Sequence, residues 1–469
     1  MALGGRRDLG PLVAVFVGLA LGRAAADPAG RRQPVTLQRS FVGLVVQYYS
    51  SGRLSQHLLW LASLAGVVGL LASRALVALS PVVGVLAALA NPQVRHLLPQ
   101  YFRNGAAMRA AGMVGLLVLS SLYTSEWTVW RHEVFRSLTW LAVPLAFTLA
   151  VPLTGRQRWA VGALFVGGAA AVGLATVGKY LLDPRAANEA IHIGHNVQAI
   201  TGVFHIYFGV MLALTFFWGL LLSQSSLAKP LARGSLLVAA VAAVGALHVL
   251  AYRTGLLVFY VGLLAYVVRT LLRRHFALGL GLLILLALGP WLAYHTLDSV
   301  YERTRATIFD VQQFTGGRDL NDFSLSRRLT AMEAATVVIR QHWLLGVGQA
   351  DTHAAMMAQY SWNDFGLRLA NRVDVHNQYL ETLLGGGLVG LALWLALLFW
   401  PLTKSWAQRD PYLCFFIIIQ ATLMLGADIL SLQLGLNLFV FAYSFLVVAG
   451  ERHYQEAVTQ LPLPAGPGG

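Results

Sequence analysis

The sequence predicts an all-α polytopic membrane protein, because of its composition, its long apolar segments and the placement of its charges. Hydrophobic residues make up 57% of the chain and charged residues only 12%, and the mean hydropathy is +0.63. A soluble domain does not stay in solution at such values. Because every backbone amide in hydrocarbon must be satisfied within its own helix, each apolar segment of about 20 residues is expected to form a transmembrane helix.

About twelve segments are apolar enough to span, although the first two are short and are also compatible with a hairpin. The predicted spans are residues 57–72, 75–90, 108–124, 137–153, 159–178, 200–223, 233–251, 253–269, 276–294, 378–400, 411–427 and 432–449. They divide the chain into an N-terminal segment (residues 1–56), helices 1–9 (57–294), a long loop domain (295–377), helices 10–12 (378–449) and a tail (450–469).

The positive charges indicate which connections face the cytoplasm. The net charge of +14 is by itself compatible with a nucleic-acid partner, but the cations are concentrated in alternate connections. These are Arg95, Arg103 and Arg109; Arg156 and Arg158; Lys229 and Arg233; Arg269, Arg273 and Arg274; Lys404 and Arg409. By the positive-inside rule these connections and both termini are cytoplasmic, and the loop domain faces outward. The distribution of positive charge therefore indicates how the chain is oriented in the membrane, and we expect no nucleic-acid partner.

Residues 1–56 allow two interpretations. Arg6 and Arg7 precede an apolar run and three alanines, as in a signal peptide. Arg23 interrupts that pattern, and cleavage would leave several further arginines outside. We therefore expect a retained cytoplasmic or interfacial helix. The single cysteine, Cys414, lies in a predicted span, so no disulfide or thiolate–metal framework is expected.

The loop domain is too long to be a bare connection, since loops beyond about 12–15 residues are usually functional or disordered. Residues 326–341 have Leu329, Met332, Ala335, Thr336 and Ile339 at helical spacing, and Gly346 and Gly348 end the pattern. A second helix is predicted over residues 354–360. This helical pattern favours a functional domain.

Arg253 is the clearest candidate for a functional charge. It lies where the outward ends of two predicted spans meet, with no acidic residue nearby in the sequence. A charge at the edge of the bilayer is costly and is by default a functional hypothesis. A guanidinium forks onto phosphate oxygens, so Arg253 is a candidate phosphate ligand. The alternative is an arginine that extends to the interface without a substrate.

His376 is the second candidate, at the point where the loop domain enters the tenth predicted span. Asn377 and Glu381 follow it, and three glycines come one helical turn further on. A histidine at the water boundary can take a proton from a hydroxyl near neutral pH. A structural histidine at a helix start has the same appearance in sequence, so both interpretations stay open.

Other polar residues favour simpler roles. His342 is interpreted as part of a helix end, and His192, His195 and His205 have no cysteine or carboxylate-rich partner at zinc-ligand spacing. Asp428 could orient a base or a sugar hydroxyl, but we expect it to be exposed in a loop. The sequence has no Asp-x-Asp pair, Walker loop or Gly-x-Ser-x-Gly elbow, so no metal or other cofactor is expected.

Three short elements carry a family resemblance. His376 is followed after ten residues by Gly387, within HNQYLETLLGGGLVG. Arg253 and Leu257 form an Arg-x3-Leu element, and Arg328 opens the segment RLTAMEAATVVIRQHWLLGVG.

Together these elements resemble the His-x10-Gly, Arg-x3-Leu and arginine-to-"hPLLGVG" signatures of the bacterial O-antigen ligases, with Trp343 in place of the usual proline. Their order and the long loop before the tenth span also fit, so the resemblance covers roughly residues 57–449. Related O-antigen polymerases and protein O-oligosaccharyltransferases share much of the carboxyl-terminal half.

The resemblance implies a GT-C-like glycosyltransferase that moves a polysaccharide from undecaprenyl diphosphate to a sugar of the lipid A core, at the periplasmic face of a Gram-negative inner membrane. Carried over by position, His376 is the general base, and Arg253 and Arg328 bind the diphosphate. Arg327 is an alternative to Arg328 because the doublet leaves the register open. Asn377, Glu381 and Gly387 are supporting residues.

A single histidine without recognisable paired carboxylates favours direct displacement with inversion. The alternatives are an O-antigen polymerase, a protein O-oligosaccharyltransferase and, in a different class, a transporter or flippase of lipid-linked glycans. A transporter usually shows paired halves with corresponding broken helices, and the sequence shows no such symmetry.

Overall fold

A computed structural model describes residues 43, 46–316, 320, 321 and 324–459, and the regular structure within this part is helical. The α-helices are α1 Arg53–Ala72, α2 Arg74–Leu89, α3 Val94–Arg103, α4 Gly105–Leu119, α5 Trp127–Ser137, α6 Thr139–Leu149, α7 Gly155–Leu182, α8 Pro184–His192, α9 His205–Ser223, α10 Pro230–Val249, α11 Arg253–Leu272, α12 Phe276–Thr296, α13 Asp298–Thr315, α14 Ser324–Gln341, α15 Thr352–Trp362, α16 Gln378–Phe399, α17 Ser405–Arg409, α18 Pro411–Leu423, α19 Gln433–Tyr443 and α20 Ala449–Thr459. The described residues between 51 and 459 form one compact unit, and most of the predicted 1–56 segment lies outside the described residues.

The prediction of an all-α polytopic membrane protein is confirmed. Within the described ranges, nine helical segments are long and apolar enough to cross a membrane. Every predicted span coincides with a helix, but α2, α6 and α18, with 16, 11 and 13 residues, are not among these nine segments. Helices α4 and α19 are counted as parts of the longer helical segments Gly105–Leu122 and Gln433–Thr459. The count of twelve spans therefore stays a prediction.

Helix α9 lies in the middle of the bundle and is buried along most of its length, packed against α7, α10, α11 and α18. Near its start it meets α11 through two glycines, since a Cβ at Gly255 would lie 2.8 Å from the Cα of Gly209. Small residues allow helix backbones to approach closely inside a membrane. This contact holds the first turn of α11, with Arg253, beside the first turn of α9.

The loop domain contains three α-helices, α13 to α15, and its own apolar core. The predicted helix at residues 326–341 is confirmed as α14, and the helix at 354–360 as α15. Thr336, which was predicted to lie in the buried stripe of α14, is exposed, whereas Ala334 and Val338 are buried. Helix α13 was not predicted.

Asp351, at the start of α15, joins the loop domain to the connection between α4 and α5. Its carboxylate accepts hydrogen bonds from Thr124 Oγ1 (2.5 Å), Ser125 N (2.8 Å), Ser125 Oγ (2.6 Å) and Glu126 N (3.2 Å). Burial raises the pKa of this carboxyl, but the hydrogen bonds from Ser125 and Thr124 outweigh burial and the pKa is lowered from 3.8. The ionised form is thus the stabilising one.

Replacing Asp351 by Asn is expected to lower the free energy of unfolding by about 1.5–3 kcal/mol at neutral pH, because the charged acceptor is lost. The folded pKa lies below the unfolded value, so this stabilisation is present above the unfolded pKa and is lost as pH falls through the folded pKa. Thermal unfolding in detergent measures it, and the two proteins should converge in acid. Glu333→Gln, at an exposed site on α14, is the control. A difference that persists unchanged in acid would contradict the account.

Candidate active site

The start of α16 fixes the position of His376. The Asn377 side chain caps the helix by accepting hydrogen bonds from Tyr379 N (3.0 Å) and Leu380 N (3.1 Å). Its amide donates to Leu425 O at 3.0 Å, and Gln378 N donates to Met424 O at 2.9 Å. The connection between α18 and α19 is therefore tied to this helix start.

That connection brings Asp428 to His376. The distance from His376 Nδ1 to Asp428 Oδ1 is 2.9 Å, and the two side chains are 34% and 17% exposed. With the proton on Nδ1 donated to the carboxylate, Nε2 keeps a free lone pair, which is the arrangement that a general base requires. The expectation that Asp428 is merely exposed in a loop is wrong, since its carboxylate is half-buried and bound to His376.

Arg253 and Arg328 lie close enough to each other to interact electrostatically. Arg253 Nη1 donates to Thr307 Oγ1 of α13 at 3.1 Å. Arg328 Nη1 donates to Gly426 O at 3.4 Å, two residues before Asp428. Burial lowers the pKa of Arg328, and the positive charge of Arg253 lowers it further. The two predicted phosphate ligands are thus brought together, and Arg328 also contacts the connection that holds Asp428.

The arginine doublet at the start of α14 points in two directions. Arg327 Nη1 lies 3.5 Å from Asn371 Oδ1, in the segment after α15, whereas Arg328 faces Gly426 and Arg253. This geometry favours Arg328 as the member of the doublet that belongs to the site.

Arg303, on α13, belongs to the same cluster and was missed by the sequence analysis. It is 3% exposed. Burial, and then the charge of Arg253, lower its pKa to about 10. Buried polar residues recur at helical spacing along α13, namely Ser299, Arg303, Asp310 and Gln313. That polar stripe is the signal that the sequence contains, and an apolar pattern does not reveal it.

Gly387 interrupts α16, and the segment that follows α14 packs against α16 at this glycine. Its φ of 59° and ψ of −161° are accessible essentially to glycine alone. A Cβ at Gly387 would lie 2.3 Å from the Leu344 carbonyl, and one at Gly346 would lie 2.5 Å from the Gly385 carbonyl carbon. Backbone hydrogen bonds join the segments: Val347 N to Leu384 O (2.9 Å), Gly348 N to Gly385 O (3.0 Å) and Leu388 N to Trp343 O (2.8 Å).

A polar cavity of about 230 Å³ opens beside the histidine–aspartate pair. Asp428 and Glu381 line it, together with Glu133, Arg136 and His353. Arg136 is bound to Glu133 and to the Leu430 carbonyl, so it also holds the connection that carries Asp428. A cavity lined by carboxylates and donors of this kind suits the hydroxyl groups of a sugar.

Residues 238–395 match the family model described as O-antigen ligase. No curated protein matches the chain. The matched region runs from the middle of α10 into α16 and contains Arg253, Arg303, Arg328, His376 and Gly387. The resemblance seen in the sequence motifs is thus confirmed for this region.

Gly387→Ala is expected to lower the free energy of unfolding by about 1–3 kcal/mol from backbone strain alone, with a further loss from the overlap with Leu344. Gly115→Ala in α4 is the matched control, since a Cβ there meets open space. Thermal unfolding in detergent compares the two variants. Equal stability of both would show that the backbone contact is not tight.

Proposed function

We propose that this chain, which carries an O-antigen ligase domain, transfers a polysaccharide from undecaprenyl diphosphate to a sugar of the lipid A core. The observation that supports this most is the His376–Asp428 pair, which adjoins the arginine cluster through Gly426 and the polar cavity through Asp428. We further propose that the site faces the periplasm and that the protein lies in a Gram-negative inner membrane.

The donor diphosphate binds to the arginine cluster. When the bond from the sugar C1 to the phosphate oxygen breaks, the electron pair stays on the diphosphate, whose growing negative charge needs stabilisation. Arg253 and Arg328 supply fixed positive charges, and their hydrogen bonds to Thr307 Oγ1 and Gly426 O go to neutral acceptors. Their charge therefore stays available to the phosphates.

The acceptor hydroxyl needs a base. His376 Nε2 takes its proton while the hydroxyl oxygen forms the new bond to C1, and Asp428 stabilises the imidazolium through Nδ1. Attack from the face opposite the leaving diphosphate inverts the anomeric configuration. The chemistry so described uses a base and fixed cations, without a metal. The polar cavity beside Asp428, with Glu381, receives the acceptor sugar.

Three acceptors distinguish the glycan-transfer alternatives. Purified protein is incubated with an undecaprenyl-diphosphate glycan as the donor, with chelator and without ATP. Each reaction contains one acceptor: lipid A core, a second lipid-linked glycan or an acceptor protein. We expect transfer to lipid A core. Transfer only to the second glycan would identify a polymerase, and transfer only to protein an oligosaccharyltransferase. Glycan movement across vesicles without a covalent product would identify a transporter.

His376→Ala is expected to lower kcat for transfer by about 10²- to 10⁴-fold, because the acceptor hydroxyl loses its base. Asp428→Asn should lower kcat by a smaller factor, since His376 keeps its ring but loses the carboxylate that orients it and stabilises its charged form. His342→Ala, at an exposed site, is the control. The mechanism fails if His376→Ala transfers at the wild-type rate or if the product retains the anomeric configuration of the donor.

A further inference from the structure

Arg303 is a buried cation whose hydrogen bonds are only partly satisfied. Its Nη2 donates to the His195 carbonyl and to Asn196 Oδ1, the latter at 3.0 Å. Within the described part of the chain, its Nε and Nη1 are buried and have no hydrogen-bond partner. With a pKa of about 10, the side chain is charged at neutral pH.

Such a group is costly to bury. Taking one ion out of water costs several kcal/mol, and unpaired donors add to this cost unless a counter-charge is supplied. The two nearby carboxylates serve other groups. Asp310 accepts from Leu325 N (2.7 Å) and Ser326 N (2.9 Å), and Glu302 lies 2.7 Å from His192 Nδ1. Within the described residues, the charge of Arg303 is therefore not paired with a carboxylate.

The neighbours of Arg303 are themselves positive. Thr307 Oγ1 donates to the backbone carbonyl of Arg303 at 2.7 Å and accepts from Arg253 Nη1 at 3.1 Å, so Arg253 is bound to α13 one helical turn after Arg303. Arg253, Arg303 and Arg328 all act electrostatically on His205, at the start of α9. Three guanidinium groups therefore converge on one region where the first turns of α9 and α11 meet α13 and α14.

We propose that Arg303 is the third guanidinium of an anion site that binds a diphosphate in preference to a monophosphate, with Nε and Nη1 as the donors to it. This deepens the proposed function and rests on it. Three fixed cations match the charge of a diphosphate better than that of a single phosphate. Asp310 positions Arg328, since its carboxylate holds the first turn of α14 against α13.

The structural role of Arg303 is separable from this binding role. Asn196→Ala removes one of its hydrogen bonds to the connection between α8 and α9 but leaves the guanidinium in place. Arg305, on the same helix, is exposed and contacts Tyr301. Arg305→Gln is therefore the control for loss of one positive charge from α13.

The test uses the purified full-length protein in detergent, with inorganic pyrophosphate and orthophosphate as probes. Wild-type protein should bind pyrophosphate more tightly than orthophosphate. Arg303→Gln should weaken pyrophosphate binding about 10- to 100-fold, the effect of one charge-assisted contact, and Arg303→Lys should restore part of it. Asn196→Ala and Arg305→Gln should bind as the wild type does.

Three results would overturn the inference: wild-type binding of the two probes with equal strength, wild-type-like pyrophosphate binding by Arg303→Gln, or an equal loss in Asn196→Ala. If Arg303→Gln does not fold, Arg303→Lys and the comparison of the two probes decide. Glycan transfer with an unchanged donor KM in Arg303→Gln would reject this inference alone. Selective pyrophosphate binding by a protein that transfers no glycan would reject the proposed function alone.

Discussion

A methyl group at Gly387 would lie 2.3 Å from the Leu344 carbonyl, so only a glycine lets these two backbones meet as they do. The contact docks the segment after α14 into the break in α16. It thereby fixes the helix that begins next to His376 against the loop-domain helix that carries Arg328. Gly387 lies eleven residues after His376, and Leu344 lies farther than that from Arg328. These two positions nevertheless form one backbone interface, and the distance between the base and the cation depends on it.

The arrangement of charge follows from this interface. The arginines that converge here donate to neutral oxygens of Thr307, Gly426 and His195, so their positive charge is held in place without being neutralised. The polar cavity, by contrast, is lined by carboxylates, and Asp428 belongs both to this lining and to the pair with His376. An anionic donor and a hydroxyl-rich acceptor are thus expected to be directed to different parts of the site by charge before they react.

The spans were predictable because hydrocarbon imposes one local requirement, a continuous apolar helix, that any window of sequence reveals. Helices α14 and α15 followed from the spacing of their apolar residues. Helix α13 was not predicted because the stripe that it buries is polar, and Arg303 was missed for the same reason. Asp428 was misjudged because 52 residues separate it from His376, so no local pattern reports their contact. The backbone contact at Gly387 is equally non-local, although the glycine itself was noted.

The central claim is that His376 acts as a base between an anion site and an acceptor site, and chemical rescue tests it most directly. Transfer from undecaprenyl-diphosphate glycan to lipid A core is measured for His376→Ala with increasing concentrations of imidazole. The account predicts slow transfer that imidazole restores in proportion to its unprotonated form, because a free base fills the space of the missing ring. Transfer at the wild-type rate without imidazole would contradict it.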